Sequence, residues 1–211
     1  MPENARLIGS IDQIDVEFVE REATPELLMK LGIQLHLTGL SLSNIVSILE
    51  VFGVKRARST VHNRVHKADL QPEAGQSPDH VAVDETVIRL NGQQYWLYAA
   101  VDPETNELLH TELESTTTTV LAQSFLATVR EKHDVEDAVF LVNGASSLQT
   151  ACSRHGLDFS YEKRGNRNSV ERIFREVKRR TSSFSNSFSH AEPETADNWL
   201  RSFAFAWNQL I

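Results

Sequence analysis

Val81-Ala82-Val83-Asp84-Glu85-Thr86-Val87-Ile88 is an apolar run of strand length with two adjacent acids at its centre. A carboxylate amid Val, Ala and Ile in a central strand must be paired or ligated, because burying a lone charge is costly. Asp84 is therefore the first candidate functional residue. A second apolar run, Ala138-Val139-Phe140-Leu141-Val142, ends on Asn143-Gly144, which by itself reads most simply as a turn after a strand. A third stretch, Val170-Glu171-Arg172-Ile173-Phe174-Arg175-Glu176-Val177-Lys178, has the spacing of a basic amphipathic helix. Val170, Ile173, Phe174 and Val177 form its core face, while Glu171, Arg175 and Lys178 fall on one stripe.

Around these runs the periodicity predicts strands over 81–90, 94–101 and 107–114. Asn91-Gly92 makes a hairpin turn between the first two, and residues 102–106 make a longer one. Helices are expected over 117–132, 145–155, 169–182 and 194–210, with further strands over 138–142 and 157–162. Trp199, Phe203 and Trp207 recur at i, i+4, i+8, as the core face of a final helix does. His110, His133, His155 and His190 show no metal-ligand spacing and are expected on the surface. Three antiparallel strands followed by alternating helix and strand predict an α/β fold, a mixed sheet with helices on both faces. Acids at the ends of adjacent strands plus a carboxylate-bearing helix are what a ribonuclease-H-like nuclease needs.

Upstream, residues 1–70 read as a helical region, 71–79 as a Pro/Gly-containing linker and 80–211 as the α/β domain. In the helical region Thr24 is a candidate cap and Pro25 suits a first turn. Leu27, Leu28, Leu31 and Leu35 recur at helical spacing. Ser41 or Ser43 can cap a second helix that ends near Gly53. A basic helix follows, with Val61 and Val65 inward and His62, Asn63, Arg64 and His66 outward. Helix, Gly-containing turn and polar-basic helix form a helix-turn-helix pattern; a helical hairpin with a solvated basic face has the same pattern. Lys55, Arg56, Arg58, His62, Asn63, Arg64 and Lys67 are the candidate DNA-binding residues here.

The 211 residues are 40% hydrophobic, enough for a real core, and a single cysteine excludes a disulfide framework. The apolar stretches are too short to span a membrane, and the first residues lack a signal-peptide pattern, so a cytoplasmic protein is expected. The net charge of −8 is unevenly spread. Residues 53–68 hold five Lys/Arg and no acid, and residues 154–180 hold nine against four acids, leaving a strongly acidic remainder. Such segregation suits two surfaces that face phosphate. Arg175, Lys178, Arg179 and Arg180 are the candidates in the second basic segment.

Phe140-Leu141-Val142-Asn143-Gly144-Ala145, Arg164-Gly165-Asn166-Arg167-Asn168-Ser169-Val170-Glu171-Arg172 and Lys178-Arg179-Arg180-Thr181 together resemble the DDE transposases of the insertion-sequence-six family, particularly archaeal members. Val83-Asp84-Glu85-Thr86 and Tyr95-Trp96-Leu97-Tyr98-Ala99-Ala100-Val101-Asp102 resemble the same family, and the likeness spans nearly the whole chain. It implies a helix-turn-helix followed by a ribonuclease-H-like catalytic domain, with Asp84 the first catalytic acid, Glu171 the third, and Lys178 a phosphate-contacting residue. It also implies a pair of Mg²⁺ (or Mn²⁺) ions held by Asp84, position 143 and Glu171, double-stranded DNA (element ends and target) as partner, and a homo-oligomer on DNA. At position 143 the family has Asp and this chain has Asn. An amide brings no charge to a site that depends on carboxylates, so catalysis is expected to be slight or absent. The alternative expectation is an inactive DNA-binding protein that occupies element ends. Asn-Gly is also prone to deamidation. A third reading, a transcription regulator with an α/β sensor domain, predicts a ligand pocket in place of a carboxylate edge.

Overall fold

The computed structural model describes residues 11, 13–16, 24–161, 168–183 and 191–210, without the side chains of 180–183 and 210. The Arg164–Arg167 motif, His190 and the Arg180 side chain thus lie outside the described residues. Three helices come first: α1 (Glu26–Leu37), α2 (Leu42–Val51) and α3 (Arg58–Lys67). Then follow β1 (His80–Leu90), β2 (Gln93–Val101), β3 (Leu108–Glu114), α4 (Thr119–Lys132), β4 (Val139–Val142), α5 (Ser146–His155), β5 (Phe159–Tyr161), α6 (Asn168–Ser183) and α7 (Pro193–Leu210). The five strands form one mixed sheet in the order β3-β2-β1-β4-β5. β1, β2 and β3 pair antiparallel, and β4 and β5 run parallel to β1.

Local chemistry accounts for most boundaries. Ser41 accepts from the Asn44 amide at the start of α2, and Thr118 accepts from Leu121 N at the start of α4. Asn91 and Gly92 both have positive φ, 50° and 76°, which a tight hairpin turn between β1 and β2 requires. Thr24 does not cap α1: the residue before the helix is Pro25, with no side-chain cap bond. The buried face of α1 is also rotated from the expected leucine stripe. Met29, Ile33 and Leu37 are buried, whereas Leu27 is 62% exposed. The reason is that α1 serves two cores. Leu28 and Leu35 pack on a small cluster of Ile45, Leu49, Val54 and Val61. Met29, Ile33 and Leu37 join the larger core under the sheet.

That larger core lies on the sheet face of Ala82, Ala99, Val101 and Leu141 and is closed by α6 and α7, including Trp199 and Phe203. The opposite face, with Val83, Tyr98, Phe140 and Val142, is covered by α4 and α5. Segment 71–79 carries no helix or strand, yet it is stitched to the end of α4: Gly75 N donates to Lys132 O and Asp134 N to Gln76 O. Among the described residues no helix is long and apolar enough to cross a membrane.

Two histidines expected on the surface are buried instead. His110 stacks on Phe125, with ring centroids 5.4 Å apart, and His133 bridges Gln76 N and Leu109 O. Their aromatic bodies fill the packed layer between β3 and α4, and their nitrogens find polar neighbours there. Burial drives His110 down to about 3, and burial likewise drives His36 down to about 4. Both are therefore neutral in the folded state at a pH where the unfolded chain would bind protons. The unfolded state holds the extra protons below about pH 6.5, so the stability due to these two groups is complete above that value and is lost on acidification towards their folded values. Glu112 and Asp197 are raised by burial and act with the opposite sign. The readout is therefore a difference: thermal melting of the wild type is expected to fall more steeply than that of His110→Gln between about pH 6 and 4. Parallel curves would contradict the neutral, buried His110.

Candidate active site where β1 meets the end of β4

The parallel pairing of β1 with β4 sets Val83 beside Val142. One step further along each strand, Asp84 and Asn143 are brought side by side. Both lie on the sheet face of Ala82 and Leu141, towards α6, because side chains alternate across a strand. Asp84 is only 6% exposed. Its Oδ1 accepts from Asn143 Nδ2 at 2.5 Å and from Glu85 N at 2.9 Å. Asn143 is held from its other end as well: its Oδ1 accepts from Ala145 N at 2.7 Å, and its backbone carbonyl accepts from Gln149 Nε2 at 3.0 Å. The Asn143 amide is thus oriented by an acceptor on one side and a donor on the other.

Helix α6 flanks this edge. Lys178 Nζ donates to Thr86 Oγ1 at 2.7 Å, two residues beyond Asp84 on the same strand face. Arg172 donates to Asn106 Oδ1 in the β2–β3 connection, beyond the Val101 end of β2, which pairs with Ala82. These two bonds orient α6 along β1 in the same direction. Glu171 precedes Lys178 by two turns, roughly 10 Å of helix rise, which carries it back to about the level of Asp84. Glu171 is exposed and makes no hydrogen bond or ion pair with another described residue. Arg175 is exposed, and Arg179 is tied to Glu176 at 2.8 Å.

The first basic segment is divided by packing. Lys55, Arg58, Asn63 and Lys67 are exposed, and His62 and Arg56 are half-buried. Arg64 was expected outward but is 5% exposed. Its NH2 donates to Thr24 Oγ1 at 2.9 Å, and Arg56 Nε donates to the same oxygen at 2.8 Å. Packing of Val61 and Val65 turns the intervening face of α3 inward, which buries Arg64 with them. Thr86, Gln149 and Tyr161, whose ring lies 3.6 Å from where a Gly144 Cβ would sit, are site residues not picked out from the sequence. Thr86 was reachable by the two-residue strand period from Asp84; the other two depend on chain crossings that leave no local signal.

The donors here do not suit a pair of divalent ions. Among the described residues no three His, Cys, Asp or Glu side chains are grouped closely enough to share a metal. The side chain that meets Asp84 is an amide whose N–H, not its oxygen, faces the carboxylate. Two cations close together need several negative ligands. What the arrangement does is hold a buried carboxylate by hydrogen bonds. Asn143→Ala, which removes one donor from that carboxylate, is expected to cost about 1–2 kcal/mol in urea unfolding. A change near zero would mean that water replaces the amide without loss.

Comparison with known proteins places the chain. Residues 79–186, more than half of it, match the family described as DDE domain. An uncharacterized protein of Methanocaldococcus jannaschii is 27% identical over 180 residues, 82% of each chain. Among solved structures, the HTLV-2 integrase catalytic core domain in complex with magnesium, in its dimeric form, is similar at a TM-score of 0.48 and 16% identity, covering 65% of this chain and 91% of that one. A chain of the simian T-cell lymphotropic virus intasome, solved with the PP2A regulatory subunit B56 gamma, gives 0.45 and 14% identity over 82% of this chain and 67% of that one. With Asp84 buried within β1, its carboxylate-bearing α6 and a family match that runs from the start of β1 past the end of α6, the protein belongs to the DDE-domain family of transposases.

Proposed function

We propose that the protein is an insertion-sequence transposase of the insertion-sequence-six type, cytoplasmic, in a form whose strand-cleaving edge is disabled by Asn143. The observation that carries this is the Asp84–Asn143 pair: a buried carboxylate within β1, one residue past the last β1–β4 pair, whose neighbour is an amide donor. In this reading the sheet and its helices are a ribonuclease-H-like catalytic domain over 80–211, joined through 71–79 to a DNA-binding region over 1–70. α2 and α3 are its helix-turn-helix. Lys55, Arg58, His62, Asn63 and Lys67 then face the terminal inverted repeats, as double-stranded DNA. Arg56 lies beside them, and Arg64 supports them from within. Arg175, Lys178 and Arg179 contact phosphate nearer the site. Family members act as homo-oligomers on paired ends.

With Asp at position 143, Asp84, the new Asp and Glu171 would form the acidic set that Mg²⁺ or Mn²⁺ chemistry needs. With Asn, the amide satisfies Asp84 without any cation, so the second reading, an end-binding protein that does not cut, follows from the same bond. Cleavage of a DNA carrying the element's ends, run with Mn²⁺ on this chain, Asn143→Asp and Asn143→Asp with Asp84→Ala, tests both. Cutting is expected from Asn143→Asp alone. Cutting by Asn143→Asp that persists when Asp84→Ala is added would sink the assignment of this edge.

DNA binding is tested separately. Lys67→Ala is expected to lower the slope of log affinity against log salt by about one, as removal of one phosphate contact does. Arg64→Met is expected to leave that slope in place and to lower folding stability instead. A slope change in Arg64→Met alone would reverse the assignment of the two side chains.

A further inference from the structure

We propose that Asn143–Gly144 is a self-modification site, at which the chain's own groups promote deamidation of Asn143 to aspartate. Three features coincide there. The nucleophile is available: Gly144 is exposed, and its N–H is engaged by no other described residue. The electrophile is polarised: Asn143 Oδ1 accepts from Ala145 N at 2.7 Å, where an N–H stabilises the oxygen as it gains negative charge. The leaving nitrogen is held: Asn143 Nδ2 rests on the Asp84 carboxylate, an acid–base group at hydrogen-bond range.

The chemistry balances with water as the only co-reactant. Gly144 N attacks Asn143 Cγ, forming a C–N bond and closing a five-membered ring. The proton displaced from Gly144 N ends on Nδ2, by way of Asp84 Oδ1, and the Cγ–Nδ2 bond breaks with release of ammonia. Water then opens the resulting succinimide. Addition at Cγ gives aspartate, and addition at the backbone carbonyl gives isoaspartate. No electron is gained or lost. Conversion replaces an amide donor facing Asp84 by a second carboxylate, so the bonded pair becomes a repelling pair that a divalent cation can relieve. The consequence for function rests on reading this edge as the transposase site; the modification itself does not.

The chain supplies an internal control. Asn91-Gly92 has the same dipeptide in the β1–β2 turn, where Asn91 Nδ2 donates to the Ala191 carbonyl and, among the described residues, no acid receives it. Full-length protein is incubated in warm neutral buffer and mapped by peptide mass over time. A one-dalton gain is expected at Asn143, about tenfold faster than at Asn91, a modest share of what a positioned acid or base contributes. Gly144→Ala, whose Cβ would meet only the Tyr161 ring at 3.6 Å, preserves the fold and is expected to slow conversion strongly. Asp84→Asn is expected to bring the Asn143 rate down to that of Asn91. No gain at Asn143 while Asn91 converts overturns the proposal, and so does a rate unchanged in Asp84→Asn. The converted fraction is then titrated with Mn²⁺ by calorimetry beside Asn143→Asp. Binding by both, and not by the unconverted chain, supports the consequence. Binding by neither overturns the transposase-site reading and leaves the modification standing.

Discussion

The parallel register of β1 against β4 is the constraint from which the candidate site follows. Val83 sits beside Val142, so Asp84 and Asn143 are obliged to meet. A slip of one residue would put Asn143 on the opposite face of the sheet from Asp84 and leave a buried carboxylate without its amide donor. The register is fixed by two dry faces. Ala82 and Leu141 lie under α6 and α7, and Val83, Phe140 and Val142 lie under α4 and α5. Hydrophobic burial on both sides thus determines where Asp84 and Asn143 stand.

Helix α6 takes its place from the same sheet. Val170, Ile173 and Val177 are all but fully buried, while Glu171, Arg175 and Lys178 remain exposed. The Lys178–Thr86 and Arg172–Asn106 bonds hold the exposed stripe alongside β1. A carboxylate and two cations are thereby displayed along the helix that flanks β1. The site is an open edge with a hydrogen-bonded acid at its base, and the chemistry available to it turns on whether position 143 donates or accepts.

The three-helix region is joined to the sheet by packing as well as by chain. Met29, Ile33, Leu37 and Val65 belong to the same core as Trp199 and Phe203, and Asn198 on α7 reaches both His66 and Asp69. Any DNA held by α3 would therefore be held by a helix seated on α7. The shared core is also why α1 buries two stripes, a pattern that four leucines at helical spacing do not disclose.

Much of the molecule was legible from the chain alone. Strand alternation, the Asn91-Gly92 turn, the Ser41 cap and the Trp199–Phe203 stripe are set by interactions within a few residues, so the pattern and the structure coincide. The acids at Asp84 and Glu171 stood out because polar groups in apolar runs need a reason. Tertiary structure decided what depends on distant partners. Arg64 lies inward because Thr24, forty residues earlier in the chain, offers an acceptor beneath α3. His110 and His133 are buried because a layer between β3 and α4 had to be filled. Asn143, read locally as half of a turn, is an Asp84 ligand because two strands far apart in sequence pair side by side, and no local pattern carries that register.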